Sequence, residues 1–136
     1  MARILKNKLL MPHLWMPLLI CVAAGCGKSG PEVAPVKGRV TLDGRPLSTV
    51  DIVFQPEDGK PPATSRTDEE GHYELLYKRG VNGAPVGQHT VRIAFTSGIV
   101  AKPPTIPDRY NKQSELHREV KSGSNEIDFD LKSEGK

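Results

Sequence analysis

From residue 36 onward, apolar side chains recur at every second position. Val36, Val40 and Leu42 share one phase, with Lys37, Arg39 and Thr41 opposite. Val50, Ile52 and Phe54 repeat the pattern, as do Tyr73, Leu75 and Tyr77. Val91, Ile93 and Phe95 alternate with Thr90, Arg92 and Ala94, and Ile127, Phe129 and Leu131 alternate with Asp128 and Asp130. A period of two predicts strands with one face buried. No stretch carries a convincing 3.6-residue stripe, although residues 112–121 could supply a turn of helix. Turn residues separate the runs: Asp43-Gly44, Glu57-Asp58-Gly59, Asp68 to Gly71, Asn82-Gly83 and Gly123-Ser124-Asn125. Asp43-Gly44 is a two-residue hairpin signal that joins the first two runs. Seven strands follow, at 36–42, 49–55, 63–67, 72–77, 88–96, 116–121 and 125–131. Short strands at this spacing predict an all-β, seven-stranded antiparallel β-sandwich. The stretch 97–115 interrupts the rhythm. A segment that long inside a small domain is expected to be an ordered arm between sheets, pinned by Ile106, Pro107 and Tyr110.

The N-terminal quarter follows another rule. Residues 1–8 are positive, and residues 9–25 are apolar apart from His13. Pro12 and Pro17 interrupt the run, which falls short of the ~20 residues of a comfortable membrane span. A charged start, an apolar middle and small residues at the end predict a signal peptide over 1–25, and hence an exported protein. The alternative, a retained transmembrane anchor, fits less well because a Gly/Pro-rich stretch follows at once. Residues 26–35 have linker composition and are expected to be a flexible tether. The folded domain is placed at 36–132, and 133–136 is expected to be a disordered tail.

Charge and cysteine content narrow the function. The chain has 19 Lys and Arg against 16 Asp and Glu. Arg3, Lys6 and Lys8 account for the whole excess, so residues 26–136 are balanced. That excludes the basic footprint of a nucleic-acid binder. Lys78 and Arg79 beside Tyr77 are too few to line a single-strand groove. Only Cys21 and Cys26 exist. Loss of a signal would leave one thiol, which excludes a disulfide framework and a thiol-based zinc site. His72, His89 and His117 lack ligand spacing and are expected at the surface. The acids Asp68, Glu69 and Glu70 lack the spacing of a calcium loop and read as a solvated turn. Glu115, Glu119 and Glu126 show no paired-carboxylate geometry. Ser29, Ser97, Ser122 and Ser124 lack a nucleophile-elbow context.

Two resemblances sharpen this reading. Ala23-Ala24-Gly25-Cys26 resembles the lipobox of bacterial lipoproteins, with Ala23 where that motif favours leucine. The resemblance implies cleavage between Gly25 and Cys26 and a thioether-linked diacylglyceryl group on Cys26. Two or more acyl chains anchor stably where one does not. Cys21 is a poorer substrate, because bulky Ile20 precedes it. Further on, residues 36–47 (VKGRVTLDGRPL), then Thr67 to Tyr73 (TDEEGHY) and Val86 to Val91 (VGQHTV), resemble the carboxypeptidase-regulatory-like, transthyretin-like domain. Ile106 to Asn111 (IPDRYN) and the closing Asn125 to Leu131 (NEIDFDL) are similar to segments of small envelope lipoproteins that carry this domain. The resemblance covers about residues 34–132. It implies a Greek-key, prealbumin-like sandwich used as an accessory or adhesive module.

That fold also hosts a ring-opening hydrolase with a C-terminal Tyr-Arg-Gly-Ser motif. The closing residues Lys132-Ser133-Glu134-Gly135-Lys136 do not carry that motif, so that activity is not expected. Related pilin domains form an isopeptide bond from a buried Lys, Asn and carboxyl. Lys37, Glu74 and Asn125 are candidates by residue type, but Lys37 and Glu74 are out of phase with the core. The expectation is therefore a non-enzymatic, membrane-anchored envelope protein with no cofactor or catalytic set. Its expected partners are the membrane, through Cys26, and another envelope protein that pairs with a sheet edge. Surface polysaccharide is disfavoured, because most of the aromatic residues are in phase with the core. A secreted domain without lipid is one alternative. An enzyme site on the 97–115 arm with His117 is another.

Overall fold

A computed structural model describes residues 30–134. The expected signal peptide, its Gly25/Cys26 cleavage site and the lipidated Cys26 lie outside these residues. The described chain is all-β apart from one 3-10 turn. Its strands are β1 (Val33–Ala34), β2 (Val36–Leu42), β3 (Arg45–Pro46), β4 (Val50–Pro56), β5 (Ala63–Arg66), β6 (His72–Glu74) and β7 (Leu76–Lys78). They continue as β8 (Val81–Asn82), β9 (Ala84–Pro85), β10 (Gly87–Phe95), β11 (Leu116–Val120), β12 (Asn125–Glu126) and β13 (Phe129–Leu131). The larger sheet runs β11-β10-β4-β5-β7-β8. The smaller one centres on β2, with β12 and β13 on one side and β3 and β6 on the other. β1 and β9 form a short separate pair.

The two main sheets enclose one core, and the period-two runs supply it. Val36, Val40, Phe129 and Leu131 of the smaller sheet meet Val50, Ile52, Phe54, Val91 and Ile93 of the larger. Phe54 lies at the centre, its ring 6.0 Å from Phe129 and 6.4 Å from Tyr73. Burial of such side chains stabilises the fold by about 1.5–3 kcal/mol each.

Where single strands were expected, the chain changes sheets. The Asp43-Gly44 turn has φ 49° and 80°, the geometry of a hairpin turn positive at both central residues. Yet the hairpin returns only as β3. Pro46 has no N–H to extend the ladder, and the chain then turns at Thr49 (φ 61°) into the other sheet. The expected strand 72–77 also divides. β6 pairs with β2, and β7 pairs with β5. The break is buried Leu75, whose N–H donates to the Val36 carbonyl at 2.9 Å.

The closing run 125–131 departs further. It breaks at Ile127 and Asp128, and both halves lie parallel to β2, not antiparallel. β12 is reached by a crossover from the other sheet, so no hairpin dictates its direction. Gly38 makes the break possible. A Cβ there would sit 1.9 Å from the Ile127 carbonyl oxygen. That carbonyl accepts a hydrogen bond from the buried Tyr73 hydroxyl, and the Ile127 N–H donates to Lys37 at 2.8 Å.

Both expected flexible ends are partly built in. The end of the 26–35 segment joins the fold: Ala34 is buried, and the Val86 N–H donates to the Glu32 carbonyl at 2.9 Å. Gly83 (φ 113°) permits this, since its Cβ position is 2.1 Å from the Ala34 oxygen. Small apolar residues such as Val33 and Ala34 read as linker only when their burial is unseen. At the other end, the Ser133 N–H donates to Asp43 at 3.1 Å, and Arg109 donates to the Glu134 carbonyl at 3.1 Å.

Candidate functional site

β11 is the outer strand of the larger sheet and pairs only with β10. The Glu57 N–H donates to the Gln88 carbonyl at 3.0 Å, which turns Gln88 toward β4. By alternation, His89 turns its backbone groups toward β11, where it faces Arg118. The backbone N–H and C=O groups of His117 and Glu119 therefore point away from the sheet, along an edge that no strand pairs, although Arg118 takes the His117 carbonyl. Their side chains are exposed, and His117 Nδ1 lies 2.9 Å from Glu57 Oε1. Arg118 turns inward instead. Its guanidinium donates to the His117 carbonyl at 2.7 Å and lies 5.0 Å from the Phe129 ring centroid. It thus closes the gap between the two sheets beside the edge.

One side chain shapes the turn that follows. Asn125 Oδ1 accepts from Lys121 N at 2.9 Å, and Nδ2 donates to the carbonyls of Lys121 and Gly123 at 2.8 and 3.1 Å. Asn125 is thereby committed to the crossover. Lys37 and Glu74 do stand opposite each other across β2 and β6, but both are exposed. The three isopeptide candidates share no buried pocket.

The outer face of the smaller sheet forms an open depression of about 730 Å³. Glu126, Lys37 and Glu74 form one cross-strand row, since Lys37 pairs with both acids. Beside it, the Arg39 N–H donates to Asp128 at 2.8 Å, and Arg39 Nε donates to the Glu70 carbonyl at 3.0 Å. Asp68 is used by its own turn, accepting from Glu70 N and His72 N at 3.0 and 2.8 Å. Mixed signs and internally paired groups make this a solvated polar face. On the larger sheet, Arg66 bridges Asp51 at 2.8 Å and Thr96 at 2.9 Å. Burial pushes the Asp51 carboxyl up, but hydrogen bonds from Arg66 and Thr96 outweigh it and hold the pKa below the usual carboxylate value.

The 97–115 arm does not cross between sheets as expected: it joins β10 to β11, neighbours in the larger sheet, and its second half packs onto the core. Ile106 and Tyr110 pack against the core, and Ser114 Oγ donates to the Val91 carbonyl. Arg109 Nη2 donates to the Lys132 carbonyl at 2.7 Å, and the Tyr110 hydroxyl accepts from Lys132 N at 3.2 Å. The arm thus clasps the end of the chain, and His117 faces Glu57 rather than the clasp. Among the described residues, no group of three or more His, Cys, Asp or Glu converges as a metal set.

One expectation fails outright. His89 is not at the surface: it is fully buried and packs against Phe54, with ring centroids 5.7 Å apart. Its Nδ1 lies 3.0 Å from the Gly87 carbonyl, and Nε2 has no hydrogen-bond partner. Parity carried the signal, because His89 shares the phase of Val91 and Ile93. Burial lowers the pKa of this imidazole, against weaker raising effects of the Gly87 carbonyl, Asp58 and Glu57.

No protein-family description matches the sequence, and no curated protein matches it. Two solved structures share part of the chain trace. A DUF3823 family protein from Parabacteroides merdae is 15% identical with a TM-score of 0.44, over 74% of this chain and 46% of that one. The Bacillus anthracis TIE protein is 19% identical with a TM-score of 0.43, over 73% of this chain and 16% of that one. The chain thus spans less than half the length of either.

Proposed function

We propose that this chain is a lipid-anchored bacterial envelope protein whose transthyretin-like sandwich is a non-enzymatic recognition module. The observation that supports it best is the unpaired edge of β11, where the His117 N–H and both backbone groups of Glu119 point outward, the His117 carbonyl being held by Arg118. An added strand would draw affinity from those groups and specificity from alternate side chains. The partner class is an extended segment of another envelope protein. Cys26, in its lipobox-like setting, supplies the anchor and keeps the domain at the membrane surface.

Two measurements test the two halves. Intact mass and detergent partition of the full-length protein, made in a bacterial host, should show a chain that begins at residue 26 and carries acyl groups. Cys26→Ala should lose both features. A lipid-free product in the soluble fraction would instead favour a secreted accessory domain. For the edge, Glu119→Pro removes an outward N–H without touching the β10 ladder, so the fold should survive. A photo-crosslinking side chain at His117 should capture an envelope partner in the parent and lose it in Glu119→Pro. Equal capture in both would exclude strand addition at β11.

A further inference from the structure

Among the described residues, His89 is the one buried titratable group that nothing described so far employs. It is fully buried within β10, and its backbone pairs with Arg118 at the middle of β11. The Gly87 carbonyl beside Nδ1 can only accept, so Nδ1 carries the proton of the neutral ring. That leaves Nε2 with a bare lone pair in an apolar setting against Phe54. A neutral imidazole tolerates this arrangement. An imidazolium does not, because its second N–H would be a buried charged donor without an acceptor.

The surrounding charges give little relief. Glu57, Asp58 and Lys60 lie in the turn after β4, and Arg118 faces His89 from β11. Lys60 is paired with Asp58, and Glu57 with His117. Arg118 opposes a second positive charge. The remaining way to satisfy a protonated ring is to bring it to water. β11 is the cheapest barrier to move, since it is an edge strand of five residues held on one side.

We propose that His89 is an acid-responsive latch: protonation at Nε2 releases β11 from β10 and opens the sandwich at that edge. The direction follows from linkage. Above pH 6.5, the ordinary value for this group, folded and unfolded forms are both neutral and the latch is closed. Below it, the unfolded or opened form takes up a proton that the closed form refuses. The opened-to-closed ratio then rises by up to about tenfold per pH unit. Any effect on partner recognition rests on the β11 reading given above, whereas the acid response of the isolated chain does not.

The test is amide hydrogen exchange of the full chain without partner, at about pH 7.5 and about pH 5, corrected for intrinsic rates. Protection at His89, Val91, Arg118 and Val120 should fall in acid more than at Val40 in the other sheet. His89→Leu, which is apolar and of similar bulk, should abolish that extra loss. Equal loss in parent and variant would overturn the latch. Should His89→Leu fail to fold, nitrogen spectra of the parent imidazole decide instead. A ring that stays neutral until β11 protection is lost supports the latch, and a ring that titrates while β11 stays protected overturns it.

Discussion

Gly38→Ala isolates the crossing between β2 and the β12–β13 break. The position has no positive φ, so the substitution adds no backbone strain of its own. Its whole effect is steric. The new methyl would sit 1.9 Å from the Ile127 oxygen and 2.6 Å from its carbonyl carbon, against the 3.4 Å or more of an ordinary contact. Both obstacles are backbone, so no side chain can swing aside. Ile127 must retreat, which breaks the Tyr73 hydroxyl bond to its carbonyl and strains the Ile127 N–H bond to Lys37. Each lost hydrogen bond costs about 1 kcal/mol, and a buried orphan costs more. Retreat also loosens Phe129 against Phe54. The sum is about 3–5 kcal/mol, in the range of severe core lesions. For a domain of this size, that lowers Tm by about 15 °C or more. Urea unfolding of the full chain, followed by far-ultraviolet circular dichroism, reads it directly. Gly30→Ala, with nothing within 4 Å, is the control and should stay within about 0.5 kcal/mol. A Gly38→Ala protein within about 1 kcal/mol of the parent would refute the argument, because room for the methyl could then be made cheaply.

Two further outcomes follow from other contacts. Arg109→Ala removes the donor to Lys132 and Glu134, so amides of Lys132 and Ser133 should lose exchange protection, with global stability changed by no more than about 1 kcal/mol. A folded pKa held below 3.8 makes ionised Asp51 a source of stability above that pH, lost as pH falls through the folded value. Asp51→Asn should therefore flatten the stability profile below about pH 4, by under about 1 kcal/mol because the pair is well exposed to solvent. An unchanged profile would mean that the Arg66 bridge contributes nothing.

The strands were legible where both faces of one residue run meet constant surroundings. Val50, Ile52 and Phe54 alternate from end to end of β4, and all three are buried. The sheet switches were not legible. Tyr73 and Leu75 keep their alternation through the bend, so the local pattern is the same whether or not the strand changes partners. The parallel direction of β13 was hidden for a related reason, since its phase depends on the core and not on the neighbour. Two-residue strands such as β1 and β9 are too short for any period to register. Histidine as a residue type favours the surface, whereas the phase of His89 points inward with Val91 and Ile93. The open edge of β11 could not be read either. Which strand lies outermost follows from strand order, and strand order is a property of the whole chain.

The β2–β13 pairing also sets an order of events. Thr41 donates to Asp130 at 2.7 Å, across 89 residues of sequence. β2 therefore waits for β13 before its sheet is complete. Until then Val40 and Leu42 lack Phe129 and Leu131 beside them, and Gly38 lacks the carbonyl that it was shaped to admit. Pairing at such separation must offset a large loop-closure entropy, which slows folding. A chain that emerges from its N-terminus onward thus cannot close the domain early. Closure waits for β13, so the fold itself reports that synthesis has passed Leu131.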